Sequence, residues 1–311
     1  MIEWELSSSS VHKIMTQLKV SRTINGPTCI VHFPEGVSDL FDEPSPHSSS
    51  KQIPVVRFLR LVDLILDICY ASLPGDPNIY LENKTVFADK HIYVASSKLE
   101  IHKSFYTSSC LHLPFDCYST LHYVGNSSHS KMLEMKNRNN SQWFARLFQQ
   151  DIRIDPVTRK PSEFPAPWRE KYGPMCTGSP FVIEKLSRPD VCGAKDHYKI
   201  QTSDIDSQNH TNWLVYVQIC MNVCRKGLDK ELFSRLLIEN SKNGLKEFQI
   251  RYENEALVDE EVVVHAWETS GRDDQLCFEL TRGSDLCIQA TIAFHQRCVK
   301  STHIESIKSK I

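Results

Sequence analysis

Proline placement constrains this chain more than any other feature. Seven of its fifteen prolines, Pro156, Pro161, Pro165, Pro167, Pro174, Pro180 and Pro189, fall between positions 156 and 189. Each fixes φ and removes a backbone donor, so the stretch cannot form a sheet interior or a long helix. It splits the 311 residues into two pieces of similar size, the number of units that the length alone suggests. The expected organisation is an N-terminal unit over 1–160, a linker over 161–190 and a C-terminal unit over 191–311.

Both pieces repeat one order of elements. In the first, Gly36–Gln52 reads as a loop. The apolar run Ile53–Leu73 then predicts a helix, stopped by Pro74-Gly75. Strand patterns follow at Val86-Phe87, His91–Ala95, Leu99–His102, Tyr118–Val124 and Trp143–Ile154, with loops at Gly125–Ser130 and Asn137–Ser141. In the second, a short strand at His197–Gln201 precedes a helix over Asn212–Lys226 ended by Gly227, and a helical piece at Asp229–Glu239. Strands then run over Leu245–Glu255, Glu261–Thr269, Gln275–Arg282 and Leu286–Arg297. A long helix before several antiparallel strands is an α+β order. Each helix is too apolar for a surface and each sheet needs one face covered, so a sheet wrapped around a central helix satisfies both.

Composition narrows the partners. Thirty-six basic and thirty-eight acidic residues leave a net charge of −2, so no global basic field recruits nucleic acid or anionic lipid. Arg57, Arg60, Asp63 and Asp67 interrupt the most hydrophobic stretch on one helical face, which predicts an amphipathic helix on a core rather than a transmembrane segment. The acidic N-terminus has no apolar signal core, so a cytoplasmic protein is expected. The terminal Ser309-Lys310-Ile311 differs from a peroxisomal address only in its last aliphatic residue. Eleven irregularly spaced cysteines, with no Cys-x2-Cys pair, read as reduced thiols, and Cys220 and Cys224 as a core stripe. No His-x3-His spacing joins His197, His210, His265 or His295, and no Gly-rich loop precedes a helix. Neither metal nor cofactor is expected.

The densest cluster of reactive side chains is Asp204-Ile205-Asp206-Ser207-Gln208-Asn209-His210-Thr211-Asn212, with Tyr216 beyond. It sits between a predicted strand and a helix start, where unpaired backbone N–H groups and the helix dipole favour developing negative charge. Asp206 can act as a base on water and His210 can tune it. Asp, Ser and Asn before a helix are equally ordinary N-caps.

This pattern, Asp-x-Asp-x-x-x-His-x-Asn-x-x-x-Tyr, resembles that of the hotdog-fold acyl thioesterases, and the order of elements is most similar to the acyl-acyl-carrier-protein (ACP) thioesterases. Asp204, Asp206, His210, Asn212 and Tyr216 match their motif, Gln208 stands where the family has Asn, and Trp213 replaces its final Asn. Tyr252 and Glu255 match a second block, and Asp155–Pro161 with Pro165 a third. The resemblance implies a tandem double hotdog, with the chemistry in the second half and the first half shaping the acyl pocket. The Ser21–Gly26 turn of the first half is at best a degenerate remnant of the motif.

By the same resemblance, Asp206 activates water or attacks the thioester carbon, His210 holds or tunes it, and Glu255 is a second acid/base from the facing strand. Gln208 supplies an amide, with Asn209 as its substitute. Asn209, Asn212 and Trp213 are candidates for substrate contact, Asn212 and Tyr216 hold the turn, and Asp204 forms it. Val217, Val223, Ile250 and Trp267 read as pocket wall or plain core. The implied substrate is a fatty acyl-CoA or acyl-ACP, and a homodimer is left open. A hotdog protein that binds acyl thioesters without turnover is the alternative. A hotdog dehydratase fits less well, because its Asp lies five residues before the His with a proline between, whereas Asp206 precedes His210 by four.

Overall fold

A computed structural model describes residues 7–37, 55–73, 79–82, 86, 90–106, 110–206 and 209–296. Gln208, Phe87 and the Ser309-Lys310-Ile311 terminus lie outside them, as does most of the loop expected at Gly36–Gln52. The elements run α1 (Ser8–Gln17), β1 (Ser21–Asn25), β2 (Thr28–Phe33), α2 (Val55–Tyr70), β3 (His91–Ile101), β4 (Phe115–Val124), β5 (Ser128–Asn137) and β6 (Trp143–Ile154). After a short α3 (Ala166–Tyr172) come β7 (Ala194–Lys199), α4 (Trp213–Asp229), α5 (Arg235–Ser241), β8 (Leu245–Tyr252), β9 (Glu261–Glu268), β10 (Gln275–Arg282) and β11 (Asp285–Phe294).

The eleven strands form one antiparallel sheet, ordered β1-β2-β4-β5-β6-β3-β8-β11-β10-β9-β7. Pairing of β3 with β8, in the register Leu99↔Phe248, joins the two halves. Helices α2 and α4 pack against each other and against inner sheet residues. α2 buries Phe58, Leu59, Leu61, Val62, Ile65 and Ile68, and α4 buries Leu214, Val217, Ile219 and Val223. Each such side chain contributes roughly 1.5–3 kcal/mol on leaving water. Val217, Val223 and Ile250 are buried in this interior, whereas Trp267 is buried outside that core cluster. The α+β expectation of helices wrapped by antiparallel sheet holds, with the strands of the two halves joined into one continuous sheet.

Several expectations are corrected. Ser21–Asn25 is no remnant turn but strand β1, closed onto β2 by a hairpin with Gly26 at φ +57°. Such a left-handed φ is adopted freely only by a residue without a Cβ, and tolerated by a few with short polar side chains. Val86 is helical rather than extended. Gly227 does not end the helix but lies within α4. A Cβ there would meet the Phe233 ring at 2.3 Å, so the glycine permits close approach. The following helix starts at Arg235, later than expected, with Ser234 accepting from the Leu237 N–H. Among the charges placed on one face of α2, Arg60 is exposed but Asp63 lies deep in the interior.

The proline-rich stretch is built as its composition requires. Its one α-helix, α3, is seven residues long, buries Trp168 and Tyr172 and runs into a 3-10 turn over Gly173–Met175. Beyond it the chain has no ladder partner and is tied down by side chains. Gln150 Oε1 accepts from the Phe181 N–H at 3.1 Å, Arg251 donates to the Ile183 carbonyl at 2.7 Å, and Gln289 binds both backbone groups of Leu186. All ten cysteines among the described residues are free thiols, Cys220 and Cys224 among the buried ones.

Candidate active site

The polar turn is stitched shut at its base by its own backbone. Asp204 is nearly buried, and its carboxylate accepts from the Tyr198 hydroxyl and the Gln201 N–H, both at 2.8 Å. Its carbonyl accepts the Asn212 N–H at 2.8 Å, and Ile205 and Thr211 form an antiparallel bridge. Higher in the turn, the Asp206 N–H donates to the His210 carbonyl at 2.9 Å, and the His210 N–H donates back to Asp206 Oδ1 at 3.0 Å. Asn209 forms the exposed tip at φ +59°, a conformation that asparagine tolerates better than most residues. Asn212 then caps α4, its Oδ1 accepting the Leu214 N–H at 2.9 Å.

The turn also fixes the segment that carries Glu255. Strand β8 ends at Tyr252, where Glu253 and Asn254 both donate to the Cys287 carbonyl and the ladder closes. Glu255 is therefore presented by the loop after β8, not by the strand as expected. Its neighbour Ala256 is held at both backbone groups. Thr211 Oγ1 donates to the Ala256 carbonyl at 2.5 Å, and the Ala256 N–H donates to the Tyr216 hydroxyl at 2.9 Å. Tyr216, one helical turn beyond Asn212, thereby positions the acidic loop.

As a result, Glu255 Oε2 lies 3.5 Å from His210 Nε2. Both side chains are about four-fifths buried, and Glu255 Oε2 has no hydrogen-bond partner among the described residues. The other oxygen, Oε1, forms an ion pair with Arg159 from the proline-rich stretch. Tyr93, from β3 of the first half, stacks on the His210 imidazole with ring centres 4.4 Å apart and planes 25° from parallel. Arg159 lies 5.9 Å from the centre of the same tyrosine ring.

Burial pushes the His210 pKa below its ordinary value. Glu255 and Asp206 pull it up and Arg159 pulls it down, but burial dominates. The imidazole is therefore neutral near pH 7 and free to accept a proton. Burial also raises the Tyr93 pKa, with Arg159 opposing it, so the phenol keeps its proton. A neutral imidazole, a carboxylate with one unpaired oxygen and a second carboxylate in the turn before α4 can together deprotonate water beside an electrophilic carbonyl.

Asp206, His210 and Glu255 are brought together. Trp213 opens α4, accepts the Tyr252 hydroxyl on its carbonyl at 3.1 Å, and turns its indole N–H toward Asp63 of α2. Asn212 is buried in its capping role. Nothing local in the chain marks Tyr93 for the site, and Arg159 lies in the Asp155–Pro161 block without a role of its own there. Among the described residues no group of His, Cys, Asp and Glu is arranged to hold a metal, and no helix is long and apolar enough to cross a membrane.

No family model matches the sequence, and no curated protein matches it. Solved structures do match. The 12:0-ACP thioesterase from Umbellularia californica is similar over 88% of this chain and 100% of its own, with a TM-score of 0.62 at 12% identity. An acyl-ACP thioesterase from Bacteroides thetaiotaomicron is similar over 86% of this chain and 98% of its own, with a TM-score of 0.56 at 14% identity. With the two helices and the single eleven-stranded sheet, these likenesses make the chain a double hotdog by its fold.

Proposed function

We propose that this chain hydrolyses fatty acyl thioesters, carried on CoA or on an acyl carrier protein, at the Asp206–His210–Glu255 turn. The observation that carries the reading is the 3.5 Å approach of Glu255 Oε2 to His210 Nε2 beside the N-terminus of α4. In this mechanism a water held between Asp206 and the His210–Glu255 pair gives up a proton to that pair. Its oxygen bonds to the thioester carbon, and the oxyanion that forms is stabilised at the helix N-terminus. Collapse breaks the C–S bond, and the pair returns the proton to the thiolate, releasing acid and thiol. Arg159 orients Glu255 through its other oxygen, and Tyr93 shields the imidazole from solvent. The likeness in fold to thioesterases supports this reading.

Thiol release from saturated acyl-CoA and acyl-ACP substrates of increasing length tests the reading, with Asp206→Ala as the control. Turnover by the wild type and its loss in a folded variant are expected. A folded wild type inactive on every length and both carriers would contradict it. One observation favours a second reading, a binder without turnover. The Arg159 ion pair occupies one Glu255 oxygen and leaves a single oxygen for proton transfer. Acyl-CoA binding of equal affinity in wild type and Asp206→Ala, without thiol release, is its signature.

A further inference from the structure

Between the second-half sheet and the proline-rich stretch lies a cavity of about 420 Å³ that the proposed chemistry does not use. Its floor carries Gln249 of β8, Gln275 of β10, and Gln289 and Thr291 of β11. On β8, Phe248 and Ile250 belong to the core, so Gln249 between them faces out. Thr291 pairs with Gln249, and Gln289 lies two residues before Thr291, so all three share the outer face. The volume is within the range of ligand pockets.

Gln289 shows what a carboxamide does on this face. Its Oε1 accepts the Leu186 N–H at 2.8 Å and its Nε2 donates to the Leu186 carbonyl at 2.9 Å, so one side chain clamps both backbone groups of a residue. Gln275 and Thr291 line the same cavity and hold nothing. Both are at least nine-tenths buried, and neither side chain has a hydrogen-bond partner among the described residues. Gln249 commits its Nε2 to Glu247 at 2.7 Å and leaves its Oε1 open. Polar groups this deep are costly to leave without a partner, so the cavity suits a polar occupant.

The lining decides which one. Glu184 is the one ionisable side chain on it, so an anion is disfavoured and a cationic group beside Glu184 is favoured. No aromatic ring lines the cavity, so a base or a sugar has no surface to stack on. Carboxamides and a hydroxyl both donate and accept, as a peptide backbone does. Ile183 and the exposed Val182 supply aliphatic contact along the wall. The N–H groups of Val182, Ile183 and Glu184 also have no partner among the described residues, so the wall offers an edge for main-chain pairing.

We propose that this cavity is a peptide-binding groove, which takes a main-chain segment of another protein with aliphatic residues in its middle and a basic residue beside Glu184. Gln275, Thr291 and Gln249 hold the backbone of that segment as Gln289 holds Leu186. The groove is independent of the thioesterase reading, because none of its residues belongs to the Asp206–His210–Glu255 turn.

The test titrates the isotope-labelled full chain with acetyl-Lys-Val-Thr-Val-Lys-amide, with the same peptide N-methylated along its backbone, and with acetyl-Glu-Val-Thr-Val-Glu-amide. Side-chain amide resonances of the glutamines are followed by NMR. The first peptide is expected to move the Gln275 amide signals and to bind about ten-fold or more tightly than the other two. Gln275→Leu should weaken it by about ten-fold. Glu184→Lys, at an exposed position, should reverse the preference between the lysine and glutamate peptides, and carries the test by itself if Gln275→Leu does not fold. No binding of the lysine peptide at millimolar concentration overturns the proposal. So does equal binding of the N-methylated peptide, or unchanged affinity in a folded Gln275→Leu. A dimer of the full chain in sedimentation that Gln275→Leu dissociates assigns the groove to a second copy and also overturns it.

Discussion

Glu255 offers its Oε2 to His210 Nε2 at 3.5 Å while Arg159 holds its other oxygen, so one carboxylate joins the catalytic turn to the proline-rich stretch. Removing the guanidinium should therefore alter the titration of the site more than its fold. Arg159→Leu is expected to move the acidic limb of the kcat pH profile upward, because the Arg159 charge helps to hold the His210 pKa down and its loss favours the imidazolium. Arg159→Lys should restore part of the shift. A limb that does not move in Arg159→Leu would contradict the role.

Tyr93 covers the His210 ring, and burial is the main reason that its pKa is depressed. Activity that needs a neutral imidazole is lost as pH falls through the His210 pKa, so the wild type should stay active below the ordinary imidazole range. Tyr93→Ala opens the ring to water and should raise that pKa, so that activity is lost at higher pH than in the wild type. Histidine titration by NMR reads the shift independently of turnover.

Tyr216 acts through Ala256. Phenylalanine in its place removes the acceptor of the Ala256 N–H and leaves that donor buried. Tyr216→Phe is expected to cost about 1–3 kcal/mol in stability. It should lower kcat by roughly ten-fold through displacement of Glu255, with little change in KM. A fall in KM-linked binding at constant kcat would instead place Tyr216 against substrate.

Asp63 makes stability depend on pH in an unusual direction. Its folded pKa of about 8 is above the ordinary aspartate value, so the folded state binds the extra proton. Stability is full below pH ~4 and declines as pH rises toward about 8, by at most ~1.4 kcal/mol per unit. Asp63→Asn removes the titration. Its urea midpoint, relative to wild type, should be higher at pH 8 than at pH 5, and a difference independent of pH would refute the assignment.

What was legible in the sequence follows from how each side chain is used. The apolar runs of α2 and α4 announced central helices, and the prolines announced a segment tied down by side chains. Strand β5 was read in part as the loop Gly125–Ser130 because His129 and Lys131 occupy buried inward positions, which reverses the expected pattern of apolar residues facing in. Hairpin β1–β2 was hidden because β1 is largely exposed at the sheet edge and carries little apolar signal. Asp206 and His210 were legible because the turn is local in sequence. Arg159 and Tyr93 were not, because they reach the site only through the long-range pairing that joins the halves.

The central claim, that His210 and Glu255 act as one unit in thioester hydrolysis, is tested most directly by a double-mutant cycle on kcat for acyl thioester cleavage. His210→Ala and Glu255→Gln should each lower kcat by about 10²–10⁴-fold, and the double variant should be little worse than either single one. Losses that multiply, or a Glu255→Gln variant with wild-type turnover, would contradict the account.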